Sequence, residues 1–233
     1  MQPWIAKFVT SLPDVIFQPI GRKIISDILR KNADIHIEGL DEVSKVRGPI
    51  IFIGNHLSNA DGLVIDRVLK EKYDPHFVAG VKLSGEPMTN IGMRLTKTIN
   101  ITPNSADKEA LKSIIQASKS GTNLVMFPEG TRSRTGEMIE GKKGINLIAR
   151  LTKATVIPFG IHGTEIMMPI SKTGNMGQET FNHAKVMVKF GNPIVLPKKD
   201  KEEDRRIYDD KVLETYMKGI ANLLPESYRG VYK

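Results

Sequence analysis

The sequence predicts an α/β fold: a single domain with a mostly parallel or mixed central sheet flanked by helices, preceded by an N-terminal amphipathic two-helix segment. Three observations predict it. Uncharged apolar runs at residues 49–53, 123–127 and 155–162 have the length and composition of buried strands. Stretches with helical spacing of apolar residues separate them, and that alternation builds parallel or mixed sheets. The first 33 residues differ, because their helical spacing is interrupted by prolines.

The elements follow in order. Trp4, Ile5, Phe8, Val9 and Leu12 mark a helix over 3–12, and Ile20, Ile24, Ile25, Ile28 and Leu29 mark a second over 20–31. Pro13 and Pro19 are expected to kink the connection, and Arg22, Lys23, Arg30 and Lys31 crowd the second helix. Lys7 and Asp14 break the apolar stretch and no small-residue cleavage site follows, so a secretory signal is not expected. Residues 35–37 alternate as a short strand, and 49–53 form the first buried one. Gly54-Asn55-His56 then leads into a helix that runs to about Lys70. Strands are expected at 76–81 and 99–102, a helix at 106–119, and a strand at 123–127 ended by Pro128-Glu129-Gly130. A helix at 144–151, strands at 155–162 and 185–190, and a helix at 204–224 complete the chain. Residues 171–182, rich in Ser, Thr, Gly and Asn, read as a mobile loop.

Composition narrows the function. The chain has 233 residues, 40% of them hydrophobic, enough for a sizeable core, so a disordered chain is excluded. The absence of cysteine excludes a disulfide framework, thiolate zinc sites and a cysteine nucleophile. No apolar run approaches the ~18 residues of a transmembrane helix. A net charge of +8 favours an anionic partner: nucleic acid, an anionic membrane surface or a phosphorylated substrate. No His/Asp/Glu cluster resembles a metal site.

Two polar clusters follow strong strand runs, where α/β sheets place their ligand sites. The first is Asn55-His56-Leu57-Ser58-Asn59-Ala60-Asp61. An imidazole can take a proton from a hydroxyl near neutral pH if a carboxylate fixes its tautomer and stabilises the imidazolium. The five-residue spacing of His56 and Asp61 suits this if His56 lies in the strand-to-helix turn and Asp61 in the first helical turn. Otherwise the two are a loop histidine and a helix-capping aspartate. The second cluster, Phe127-Pro128-Glu129-Gly130-Thr131-Arg132-Ser133-Arg134, reads as an anion clamp or as a solvated polar turn. Lys142-Lys143-Gly144 opens the next helix and reads as an extension of the positive site or as a solvated face.

Asn55-His56 with Asp61 matches the N-H-x4-D motif of the glycerolipid acyltransferases, and residues 127–133 match their F-P-E-G-T-R-S motif. The separation of some seventy residues is also that of the family. Val156-Ile157-Pro158-Phe159-Gly160 resembles the fourth block, and Val78-Ala79-Gly80-Val81-Lys82-Leu83 with Pro87 and Gly92 resembles the approach to the second. The resemblance spans roughly residues 35–195 and is nearest to the bacterial PlsC-like 1-acyl-glycerol-3-phosphate acyltransferases.

This resemblance implies an acyltransferase-like fold and direct transfer of an acyl group from acyl-CoA or acyl carrier protein to a lysophospholipid hydroxyl. No covalent acyl-enzyme, metal or other cofactor is expected. His56 would be the general base and Asp61 its orienting partner. Glu129, Gly130, Thr131 and Arg132 would hold the acceptor's glycerol phosphate, with Glu129 holding Arg132 or a glycerol hydroxyl. Lys143 would extend the anion site, Asn55 would cap the helix or donate to the reacting centre, and Pro158 would shape the floor of the acyl groove. The family's second-block arginine is missing from Thr98-Ile99-Asn100-Ile101-Thr102-Pro103, and Arg94 and Lys97 lie just upstream. The acceptor therefore stands open between lysophosphatidic acid, another lysophospholipid and another lipid hydroxyl. His162, after the fourth block, is a further candidate for the site.

The expected division is 1–33 for membrane docking and 34–233 for catalysis. Trp4, Phe8, Phe17 and basic neighbours suit a phospholipid surface, on the cytoplasmic face of a membrane and peripheral or monotopic, in a bacterial source. The contrasting reading is a non-catalytic module binding nucleic acid or an anionic membrane. Aromatic residues at 6% give few stacking platforms for nucleic acid, which is not expected as a partner. A serine hydrolase is disfavoured because no G-x-S-x-G elbow occurs.

Overall fold

The computed structural model describes residues 11–80, 92–102, 107–171 and 179–233. Most of the expected helix over 3–12, the approach to the second block at 81–91 and most of the 171–182 loop therefore lie outside the described residues. Helix α1 runs Asp14–Asn32 and leads into strand β1, Ala33–Glu38. Helix α2, Leu40–Val43, precedes β2, Ile50–Gly54, and α3, Ala60–Tyr73, follows it. Next come β3, His76–Gly80, β4, Ile99–Ile101, α4, Lys108–Lys119, and β5, Leu124–Met126. The chain closes with α5, Gly144–Thr152, β6, Thr155–His162, α6, Thr164–Met167, β7, Ala184–Phe190, and α7, Arg205–Ala221.

The seven strands form one sheet in the order β1-β7-β6-β2-β5-β3-β4. Only the β6–β7 pair is antiparallel; the other five pairs are parallel. This is the predicted mixed sheet, and it stands between two helical layers. Strand alternation decides which residues face which layer. Phe52, Val125 and Ile157 join α1 and α3 in one core, around Phe17, Leu29, Val64 and Ile65. Their neighbours Ile51, Ile53, Leu124 and Val156 turn to the other face, against Ile114 of α4, Ile145 and Ile148 of α5 and Met217 and Ile220 of α7. Asp107 and Asp204 cap α4 and α7 by accepting from Ala110 N and from Arg206 N.

The N-terminal segment departs from expectation. Pro19 lies inside α1, which starts directly after Pro13. A proline there removes the bond to the Val15 carbonyl, but Val15 is 87% exposed, so its backbone lies at a face open to solvent and the loss costs little. Phe17, Gly21, Ile25 and Leu29 form a stripe buried in the core of the sheet domain, each large side chain contributing about 1.5–3 kcal/mol. The apolar residues of this segment thus divide. One stripe is core, while Val15, Ile16 and Ile20 remain exposed.

Candidate active site

Strands β6, β2 and β5 are adjacent and parallel, so their C-terminal ends open side by side. The chain leaves β2 through Asn55 and His56, β5 through Phe127 to Arg134, and β6 through Gly163 and Thr164. The sheet order thus brings three stretches far apart in sequence to one crevice, the usual ligand position in such sheets.

His56 sits in the turn after β2, and Asp61 is the second residue of α3. His56 Nδ1 lies 2.8 Å from Asp61 Oδ2. A carboxylate only accepts, so Nδ1 carries the proton and Nε2 is left as the basic nitrogen. Asp61 is fully buried. Its Oδ2 also accepts from Leu57 N at 2.7 Å and Ser58 N at 2.9 Å, and its Oδ1 accepts from Thr164 Oγ1. The carboxylate therefore holds the turn and the imidazole together. Phe127 stacks on the other side of the ring, 4.3 Å between centroids at 16°.

The second cluster holds the first. Glu129 is 1% exposed; its Oε1 accepts from His56 N at 3.0 Å and its Oε2 from Ile139 N at 3.1 Å. Ser133 N donates to His56 O at 2.8 Å. The backbone of His56 is thus gripped on both sides by the Phe127–Arg134 loop. Glu129 holds the His56 turn through two backbone amides, and the expected Glu129–Arg132 pair does not form: Arg132 pairs with Glu179 instead. Gly130 turns the loop with φ +67°, and a Cβ there would meet the Lys142 side chain at 3.0 Å. Thr131 is exposed at the tip.

Burial pushes the Glu129 carboxyl up to about 7, against the two backbone bonds and with the nearby Asp61 charge adding to the rise. Between about pH 4.5 and 7 the folded protein holds a proton there that the unfolded chain has released. Stability is therefore expected to fall as pH rises through this window, by up to about 3 kcal/mol. Urea unfolding across pH 4.5–8 checks it: Glu129→Gln should flatten the slope, and parallel profiles would remove Glu129 as its source.

Arg132 Nη1 donates to Glu179 Oε1 at 3.1 Å. Asn55 is buried; it donates to Ile161 O at 2.7 Å and accepts from Ile161 N at 2.8 Å. It pins the end of β2 to β6, so it neither caps α3 nor faces the reacting centre. Pro158 is buried mid-strand in β6 and packs toward Gly191 and Gly219; it lines neither cavity described below. Arg94 and Lys97 also turn elsewhere. The Arg94 guanidinium lies 3.9 Å over the Phe17 ring and pairs with Asp14, and Lys97 pairs with Asp74. His162 stacks at 4.9 Å with Tyr228, outside both cavities.

Two cavities adjoin at Phe127, and His56 lines the first. The first is narrow and mostly apolar, with His56, Asn59, Leu63, Phe77 and Phe181 among its lining residues. The second, of about 630 Å³, has Ile101, Leu111 and Ile148 inside and Lys108, Lys142 and Lys143 among its lining residues. Lys143 also pairs with Asp210 at 2.5 Å. Val78 and Phe127 line both cavities, so Phe127 is at once the partition and the platform under the His56 ring. Sequence reasoning missed Thr164 and Glu179. Each reaches the site from over a hundred residues beyond its partner at the start of α3, Thr164 to Asp61 in its first turn and Glu179 to Asn59 just before it, and no spacing signals such a contact. Among the described residues no cluster of three metal-ligating side chains occurs and no helix is long and apolar enough to cross a membrane.

Residues 34–162 match the model of the Acyltransferase family. The chain is 29% identical over 191 residues to the 1-acyl-sn-glycerol-3-phosphate acyltransferase LPAT1, chloroplastic, of Arabidopsis thaliana, covering 77% of this chain and 51% of that one. It is 27% identical over 191 residues to a probable 1-acyl-sn-glycerol-3-phosphate acyltransferase of Mycoplasma pneumoniae, covering 78% and 70%. It thus spans about half the length of the plant relative and most of the bacterial one. The crystal structure of the 1-acyl-sn-glycerophosphate (LPA) acyltransferase PlsC from Thermotoga maritima superposes with a TM-score of 0.62 at 26% identity, covering 94% of this chain and 87% of that chain. With its mixed sheet and both family motifs assembled at one crevice, the chain belongs to the Acyltransferase family.

Proposed function

We infer that the protein is a membrane-surface O-acyltransferase. It moves a fatty acyl group from acyl-CoA or acyl carrier protein to the free hydroxyl of 1-acyl-glycerol-3-phosphate, giving phosphatidic acid. The observation that carries this reading is the Asp61–His56 pair at 2.8 Å, facing a mostly apolar cavity, in a chain similar to enzymes named for that reaction.

His56 Nε2 takes the proton of the acceptor hydroxyl as the oxygen attacks the thioester carbonyl. Asp61, fixed by four donors, stabilises the imidazolium that forms. The tetrahedral intermediate collapses with loss of the thiolate, which takes the proton back from His56. A new C–O ester replaces the C–S bond, with no acyl-enzyme and no cofactor beyond the two substrates. Two cavities sharing the Phe127 wall, one of them lined by His56, suit two substrates that must come together beside that ring. Arg132 binds the acceptor phosphate, and the lysines at the second cavity add positive charge for an anionic substrate.

Residues 1–33 serve docking. Exposed Val15, Ile16 and Ile20, with Lys23, Arg30 and Lys31 also exposed on α1, suit insertion into an anionic interface. Replacing Val15, Ile16 and Ile20 together by Asp should weaken cosedimentation with anionic vesicles by at least about tenfold, since each change removes an apolar group and adds a repelled charge. Unchanged partition would take α1 out of the docking surface.

The direct test is an acyl-transfer assay with labelled acyl-CoA and vesicles carrying lysophosphatidic acid, lysophosphatidylcholine, glycerol-3-phosphate or no acceptor. Phosphatidic acid formation is expected. Transfer only to lysophosphatidylcholine would move the acceptor. No transfer from either acyl-CoA or acyl carrier protein would overturn the reading.

A further inference from the structure

Glu179 lies in the β6–β7 connection, outside both motifs, yet its side chain is 1% exposed and tied to each of them. Its Oε1 accepts from Arg132 Nη1 at 3.1 Å and from Ser171 N at 3.4 Å. Its Oε2 accepts from Asn59 Nδ2 at 2.6 Å. Asn59 stands between His56 and Asp61 in sequence and lines the cavity that His56 lines. One buried carboxylate therefore bridges the turn that carries the base and the loop that carries the motif arginine.

A guanidinium has five N–H donors. Glu179 engages it through one, at a single edge, which leaves the remaining donors for a second anion. The arginine is on a long, flexible stem, and its side chain is still 17% exposed. A fixed carboxylate at one edge holds the planar fork in one orientation before the substrate arrives, so less freedom is lost when a phosphate binds the other edge. The link to Asn59 sets that orientation relative to His56, and so sets the distance between a bound phosphate and the base. We propose that Glu179 is a positioning residue: it holds Arg132 for the acceptor phosphate and ties it to the His56 turn. This rests on the reading of Arg132 as the phosphate-binding group.

The test is steady-state kinetics on wild type, Arg132→Ala, Glu179→Gln and the double variant, with lysophosphatidic acid and acyl-CoA varied in turn. Glutamine keeps the shape and the Asn59 bond but presents an uncharged, partly donating group to Arg132. Glu179→Gln should raise the acceptor KM about tenfold, with kcat and the donor KM within about twofold. Because Glu179 acts through Arg132, the double variant should match Arg132→Ala alone. If Arg132→Ala raises the acceptor KM and Glu179→Gln leaves or lowers it, or if both KM values rise together, the proposal is wrong while the reading of Arg132 stands. If Arg132→Ala leaves the acceptor KM unchanged, both fall. Should Glu179→Gln be recovered unfolded, Asn59→Ala releases the other carboxylate oxygen without stranding a charge. It should raise the acceptor KM about threefold, and an unchanged value would overturn the proposal.

Discussion

Alanine at position 56 is expected to lower acyl transfer by about 10³-fold or more, with the thermal midpoint within a few degrees of wild type. The two halves of this expectation have separate origins. Activity falls because Nε2 is the nitrogen placed to take the hydroxyl proton, and no other histidine lines either cavity. Stability changes little because the backbone bonds of His56 to Glu129 and Ser133 do not involve its side chain. Asp61 also keeps Leu57 N, Ser58 N and Thr164 Oγ1 as donors, so no buried carboxylate is stranded. The assay is phosphatidic acid formation alongside a thermal melt. Wild-type turnover in a folded His56→Ala protein would sink the assignment of the base.

The second large effect is at Asp61, where substitution separates charge from geometry. In Asp61→Asn the amide oxygen can still accept from Leu57 N, Ser58 N and His56 Nδ1, while the amide nitrogen turns to Thr164, whose hydroxyl can accept. The turn should survive and the tautomer of His56 should be kept. What is lost is the negative charge that stabilises the imidazolium, and kcat should fall by about 10²–10³-fold. Asp61→Ala is different: two backbone amides and a threonine hydroxyl lose their buried partner, at ~1–3 kcal/mol each. Comparing kcat and urea midpoints of the two variants checks this. Equal loss of stability in both would make Asp61 a structural anchor alone, and near-normal kcat in the asparagine variant would remove its electrostatic role.

These expectations change how the second motif is understood. Glu129 and Ser133 bond the backbone of His56, the proposed base, from either side. A carboxylate buried for that purpose is held near neutrality by desolvation. The motif spacing thus reflects sheet geometry: β2 and β5 are neighbours with Ile53 beside Met126, so the turns that leave them meet.

The sequence by itself determined the element types, the sheet class and the identity of the chemical groups. The runs at 49–53, 123–127 and 155–162 read as strands between helical stretches, and His56 with Asp61 stood out through the family motif, since spacing alone left a loop histidine and a capping aspartate open. Local spacing allowed that pairing without requiring it, and the structure places His56 in the turn after β2 and Asp61 in the first turn of α3. Sequence reasoning misjudged Pro19, whose missing donor matters little on an exposed helix face. Only the tertiary structure decided partners. Glu129 turned to His56 N, Asn55 to Ile161, Arg132 to Glu179 and Arg94 to Asp14 and Phe17. The physical reason is distance along the chain. Hydrophobic period and turn chemistry are local and can be read residue by residue, whereas the Asp61–Thr164 and Asn59–Glu179 bonds span 103 and 120 residues. They exist only because the strand order folds the β6–β7 connection back onto the entrance of α3.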